Sequence, residues 1–222
     1  MNNFDHVEEI VMVIQQGDFD TVREAVKVRY ITAGALDRDG CSLLHWAAIN
    51  NRCAIASFLI ERGASPSVSG GILNESPLQW ALRRSFYGMV RLLAATGADL
   101  SHISTEGVDA LHMACRMGDL NMIFLLLHLG ANPNSVDGNG DTPILWLLEH
   151  EKGRKLLYPL QLLIRFGGDV SLKNLQTGDN ALHIVVRPSD WSRRVSFLVH
   201  QAGYSSGIVL ATNKSGLTPF KV

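Results

Sequence analysis

The chain has 222 residues, 46% of them hydrophobic and 18% charged, which excludes disorder of the whole chain and supplies ample apolar material for a core. Twenty basic against twenty-one acidic residues leave a net charge of −1, which is not the footprint of a protein that binds nucleic acid or an anionic membrane surface. The three cysteines, Cys41, Cys53 and Cys115, are odd in number and lack metal-ligand spacing, so they read as reduced thiols.

At the start of the chain, Asp5, Glu8 and Glu9 stand where a secretory leader would carry basic residues. The longest apolar stretches, around Ile123–Ala131 and Leu156–Phe166, are interrupted by His128, Gln161 and Arg165. They fall short of the ~20 residues of a membrane span. No membrane insertion by this chain is expected.

In chain order, one unit recurs. Its starts are Ser42-Leu43-Leu44-His45, Ser76-Pro77-Leu78-Gln79, Asp109-Ala110-Leu111-His112, Thr142-Pro143-Ile144-Leu145, Asn180-Ala181-Leu182-His183 and Thr218-Pro219-Phe220-Lys221. Their fourth positions lie 34, 33, 33, 38 and 38 residues apart, and such a period marks a repeat architecture. The expected units are a degenerate N-terminal repeat at 4–36, then 38–67, 72–101, 105–134, 138–171 with an insertion, an irregular 176–207 and a truncated 212–222. Together they make one domain over 1–222.

Each unit reads as two short antiparallel helices and a projecting turn. Ala110, Leu111, Ala114 and Cys115 follow helical spacing, Gly118-Asp119 breaks the run, and Met122 to Leu127 form a second helix that Gly130 ends. A glycine supplies the left-handed conformation at such an end without steric cost. Asp39-Gly40 and Asp137-Gly138-Asn139-Gly140 have the chemistry of tight turns between units. The last unit stops after one turn, so the chain is expected to continue in nature and the residues after about Ser206 to be poorly ordered.

These residues resemble the ankyrin repeat, with its Thr-Pro-Leu-His start, following alanine pair and Gly-Ala-Asp ending. The resemblance covers nearly the whole chain and implies an all-α fold, a solenoid of helix-turn-helix units with projecting β-hairpin loops. Leu145 departs from the motif histidine, Glu149–Tyr158 carries about four extra residues, and the sixth block has an insertion around Pro188–Arg194 that makes its second helix irregular.

Catalytic signatures are missing. His45, His112 and His183 occupy the motif position itself and are expected to be buried and bonded to a neighbouring turn. Asp137, Asn139 and Asp141 begin like a calcium loop, but Thr142 and Leu148 stand where its glycine and glutamate belong. No metal, no cofactor and no catalytic residue is expected within the chain.

In an ankyrin unit the residue after the motif histidine faces the concave groove. That register holds Trp46, Trp80, Met113, Trp146 and Ile184, and one turn on stand Asn50, Arg84, Met117 and His150. Exposed tryptophan and methionine in register have the composition of a binding hot spot. The expected peptide-binding set is therefore Asn50, Trp80, Trp46, Met113, Arg84, Met117 and Trp146. Packing of the rings between repeats is the competing role.

A narrower resemblance rests on Ala47-Ala48-Ile49-Asn50-Asn51-Arg52 and on Gly70-Gly71-Ile72-Leu73-Asn74. Both strings are similar to the ankyrin-bearing DHHC palmitoyltransferases, the huntingtin-interacting kind. That resemblance implies a substrate-recruiting arm on the cytosolic face of Golgi or other endomembranes. Its partners would be proteins carrying short disordered motifs rich in β-branched residues and ending in proline, held by Asn50 and Trp80. The family's Asp-His-His-Cys motif and membrane spans are not in this chain; a stand-alone ankyrin adaptor with no attached enzyme is the alternative.

Overall fold

The computed structural model describes residues 3–150, 156–186, 200 and 206–221. The chain divides into two units, Met1–Glu106 and Gly107–Val222. Unit one holds α1 (Asn3–Gln16), α2 (Phe19–Lys27), α3 (Leu43–Ile49), α4 (Cys53–Glu61), α5 (Pro77–Leu82) and α6 (Tyr87–Ala95). Unit two holds α7 (Ala110–Met117), α8 (Leu120–His128), α9 (Pro143–His150), α10 (Leu157–Arg165), α11 (Ala181–Val186), α12 (Ser206–Leu210) and a 3₁₀ turn at Pro219–Lys221. The second helix expected in the sixth repeat lies outside the described residues.

Within unit one, α1, α3 and α5 pack in succession, as do α2, α4 and α6; within unit two, α7, α9 and α11 form one such row and α8 and α10 another. The described residues include no extended β-strand, and two hairpins of unit one close through single antiparallel pairings, Leu36 with Ser42 and Gly70 with Glu75. Neither unit has a single central core. Leu44, Leu59, Leu78, Leu82 and Leu93 are buried between successive helix pairs of unit one, and Leu111, Met122, Leu126, Leu147 and Leu160 in unit two. The expected break in the fourth repeat is a left-handed Gly118, and Gly130 takes the same conformation after α8.

Helices this short are marginal in isolation. Polar groups join one repeat to the next. Ser42 caps α3, and its N–H donates to His45 Nδ1 at 2.9 Å. That leaves the proton on Nε2, which donates to Glu75 O in the next repeat at 2.9 Å. Gln79, standing where the motif has histidine, repeats the arrangement: its Oε1 accepts from Ser76 N–H and its Nε2 donates to His102 O. In unit two, His112 Nε2 donates to Asp141 O at 2.9 Å and His183 Nε2 to Leu217 O at 3.1 Å. Leu145 cannot make such a bond; Asn174 Nδ2 instead donates to Asp141 Oδ1 at 2.6 Å across the same pair of repeats.

The caps before His45 and His112 differ, and the two imidazoles shift in opposite directions. Burial holds the His45 imidazole below its ordinary 6.5, and the Ser42 N–H on Nδ1 fits that neutral ring. At His112 burial works the same way, but the Asp109 carboxylate, 2.8 Å from Nδ1, outweighs it and raises the imidazole above 6.5. Burial pushes Asp109 upward too, yet the His112 contact holds it below its ordinary 3.8. Both His112 nitrogens face acceptors, the arrangement of an imidazolium.

The poor order expected after Ser206 is corrected. Lys214 N–H donates to Thr177 O at 2.8 Å, Asn213 Nδ2 to Asp179 Oδ1 at 2.9 Å, and His183 reaches Leu217 O. The hairpin at 213–217 is thus fastened to the repeat before it.

Two outcomes follow from these contacts. Imidazole nitrogen NMR at pH 6.5 should find His45 neutral with its proton on Nε2 and His112 doubly protonated. The His45 contribution to stability is present above pH 6.5 and falls away below it, whereas that of His112 is complete below 6.5 and lost as pH rises through its raised value. A His45 that titrates above 6.5 would contradict this. A Cβ on Gly70 would overlap Gly40 O and approach Gly40 C to 2.7 Å, so Gly70→Ala should lower stability by about 1–3 kcal/mol in denaturant titration.

Candidate docking site

In unit one, the turn before α3 is organised by one carboxylate. Asp37 Oδ1 accepts from the N–H groups of Asp39 and Cys41 at 2.9 and 2.8 Å. Its Oδ2 accepts from Trp46 Nε1 at 2.8 Å. Unit two repeats the motif. Asp137 Oδ1 accepts from Asn139 and Asp141 N–H at 2.8 and 2.7 Å, and Oδ2 from Trp146 Nε1 at 2.9 Å. Each indole therefore latches its own hairpin to its own inner helix.

Trp80 is different. Nine residues before Trp46 and Trp146 stand Asp37 and Asp137, but nine before Trp80 stands Gly71. With no carboxylate at that position of the turn, Trp80 Nε1 has no hydrogen bond among the described residues. The ring leans edge-on against Trp46 and His45, with centroids 5.5 and 5.1 Å away, and passes over Gly71. Gly71 has φ +73°, and its N–H donates to Asp39 O at 3.0 Å. A side chain there would be strained and would crowd both Trp80 and Cys41.

The result is a pocket of about 350 Å³ between the inner helices and hairpins of unit one. Trp46, Ile49 and Trp80 form the helix wall, while Gly70, Gly71, Ile72 and Leu73 form the hairpin wall. Cys41 also lines it, and burial pushes its thiol up to about 12, so it contributes an apolar surface and no thiolate. At the lip, Arg83 Nε donates to both Glu75 carboxylate oxygens, at 3.0 and 2.9 Å.

The structure divides the sequence-predicted residues. Trp80 and Trp46 line the pocket, and Asn50 follows lining residue Ile49 at the end of α3. Asn50 Nδ2 donates to Trp46 O at 2.9 Å, which fixes the amide and leaves Oδ1 without a hydrogen bond among the described residues. Arg84 is exposed and lies outside the lining; Arg83 is the arginine at the lip. Met113 was expected on an open surface but is 1% exposed, its thioether committed to packing. Met117 is 41% exposed at the end of α7. Trp146, besides its bond to Asp137, stacks on His150 with centroids 4.9 Å apart and lies under Arg116.

Gly71, Arg83, Glu75 and Ile72, the last 94% exposed on the hairpin wall, also line the site and lie outside the helix-face register. The Asp-to-Trp spacing of nine, kept at Trp46 and Trp146 and broken at Gly71, is the available signal. Among the described residues, no three His, Cys, Asp or Glu side chains are grouped to hold a metal ion, and no helix is long and apolar enough to cross a membrane.

Comparison with known proteins places these features. Family models for three ankyrin copies and for a single ankyrin repeat match residues 68–137 and 39–68. The palmitoyltransferase ZDHHC13 of Mus musculus is 35% identical over 211 residues, 95% of this chain and 32% of that protein. ZDHHC17 of Danio rerio is 35% identical over 178 residues, 80% of this chain and 28% of that protein. The chain thus spans about a third of the length of these relatives. The crystal structure of the ankyrin repeat domain of Bcl-3 superposes with a TM-score of 0.79 at 23% identity, covering 95% of this chain and 91% of that one. The chain belongs to the ankyrin-repeat proteins, a protein-interaction family, and its sequence relatives are the ankyrin-bearing palmitoyltransferases.

Proposed function

We propose that this chain docks short extended segments of substrate proteins and serves as the recruiting arm of a protein S-palmitoyltransferase. The observation that carries the reading is Trp80, an indole with an uncommitted N–H on the wall of a mostly apolar pocket. A Val, Ile or Pro side chain fits that wall, and the free N–H offers a donor to the segment's main chain. Asn50 Oδ1 supplies an acceptor for a main-chain N–H. The segment enters extended, since only then do main-chain groups and alternate side chains reach both walls. The similarity to ZDHHC13 and ZDHHC17 supports the enzyme context. In that context the parent protein is membrane-embedded, and this arm lies on the cytosolic face of Golgi or other endomembranes.

Trp80 and Trp46 are separable by experiment. Trp80→Ala should weaken binding of a Val/Ile-rich, proline-ended peptide by about 2–4 kcal/mol in calorimetric titration, with a smaller loss of stability from the two edge-on ring contacts. Trp46→Phe keeps an aromatic wall but orphans Asp37 Oδ2, so it should lower stability by about 1–3 kcal/mol while binding is largely kept. Undiminished binding by Trp80→Ala would overturn the docking reading.

A further inference from the structure

The lip of the pocket carries an ion pair that the docking reading leaves unused. Glu75 closes its hairpin: its N–H donates to Gly70 O, and its carbonyl accepts from Gly70 N–H and His45 Nε2. Its side chain is 3% exposed and grips Arg83 side-on, through Nε to both oxygens and Nη2 to Oε1. The guanidinium cannot swing, since a fork held at Nε and Nη2 has one orientation. Arg83 lines the pocket, and its side chain is 34% exposed. The Glu106 carboxylate adds to the negative field at Arg83.

We infer that Glu75 is a positioning residue that masks the charge of Arg83, so that the outer N–H edge of Arg83 recognises a neutral main-chain carbonyl of the docked segment and gives no advantage to an acidic side chain. This rests on the docking reading above. An unpaired arginine at a binding lip draws carboxylates and makes binding salt-dependent. An arginine neutralised by a buried partner still donates hydrogen bonds, but a ligand carboxylate beside it would meet Glu75 and Asp39, both of which line the pocket, and the field of Glu106. The pair therefore acts as a donor without a net charge, and selectivity turns towards uncharged segments.

The test uses the 222-residue chain and two synthetic peptides, one Val/Ile-rich, uncharged and proline-ended, the other identical except for one aspartate beside the aliphatic run. Wild-type chain should bind the acidic peptide no more tightly than the neutral one. Glu75→Gln should shift the acidic-to-neutral affinity ratio towards the acidic peptide by about tenfold, and that gain should vanish at about 0.5 M salt. The double variant Glu75→Gln, Arg83→Met, which leaves no buried charge unpaired, should bind the neutral peptide several-fold more weakly. A ratio unchanged in folded Glu75→Gln, a wild-type preference for the acidic peptide, or full neutral-peptide affinity in the double variant would each overturn the inference. Should folded wild-type chain bind neither peptide, the docking reading itself fails, and this inference with it.

Discussion

A buried donor that crosses from one repeat to the next is the interaction on which everything else in each unit depends. His45, Gln79, His112 and His183 each hold a capped helix start with one side-chain atom and a carbonyl of the following repeat with another. Leaving such a buried pair unmade costs about 1–3 kcal/mol per orphaned group, which is a large share of what short helices with no common core can supply. Leu145 shows the requirement from the other side, because Asn174 and Asp141 make a different bond across that pair of repeats. Repeats stay registered by polar contacts while apolar side chains fill the space between them.

Registration also decides what is left for binding. Glu75 O, fixed by His45, positions the hairpin whose glycines pass beside Trp80, and the Glu75 carboxylate orients Arg83 at the rim. Structural and candidate recognition groups are thus adjacent atoms of one residue. The latches at Asp37 and Asp137 consume the indole donors of Trp46 and Trp146. Where a turn lacks that carboxylate, at Gly71, the following tryptophan keeps its donor.

The helices and hairpins were legible because the repeat prints the same cap, alanine pair and terminal glycine many times over, and each has a local physical cause. The capping residues, the left-handed Gly118 and Gly130, and the bonded motif histidines all follow from their positions. The site was legible only in part. Register placed Trp46, Trp80, Met113 and Trp146 alike, but burial and hydrogen bonding separate them: Met113 is packed, two indoles are latched, and one is open. The distinction lies in residues of the preceding turn, so inspection of the helix face alone does not reveal it. The contacts of Asn213–Leu217 escape the sequence for a related reason, since they are made with turn residues of the preceding repeat.

The central claim is that one indole of the register is reserved for ligand while two belong to the fold. Indole N–H exchange followed by NMR, with and without a Val/Ile-rich, proline-ended peptide, tests it most directly. The account predicts slow exchange at Trp46 and Trp146 in both states, and fast exchange at Trp80 that becomes slow, with a shifted resonance, when the peptide is added. Protection of Trp80 in the free chain, or a peptide response at Trp46 or Trp146 with none at Trp80, would contradict it.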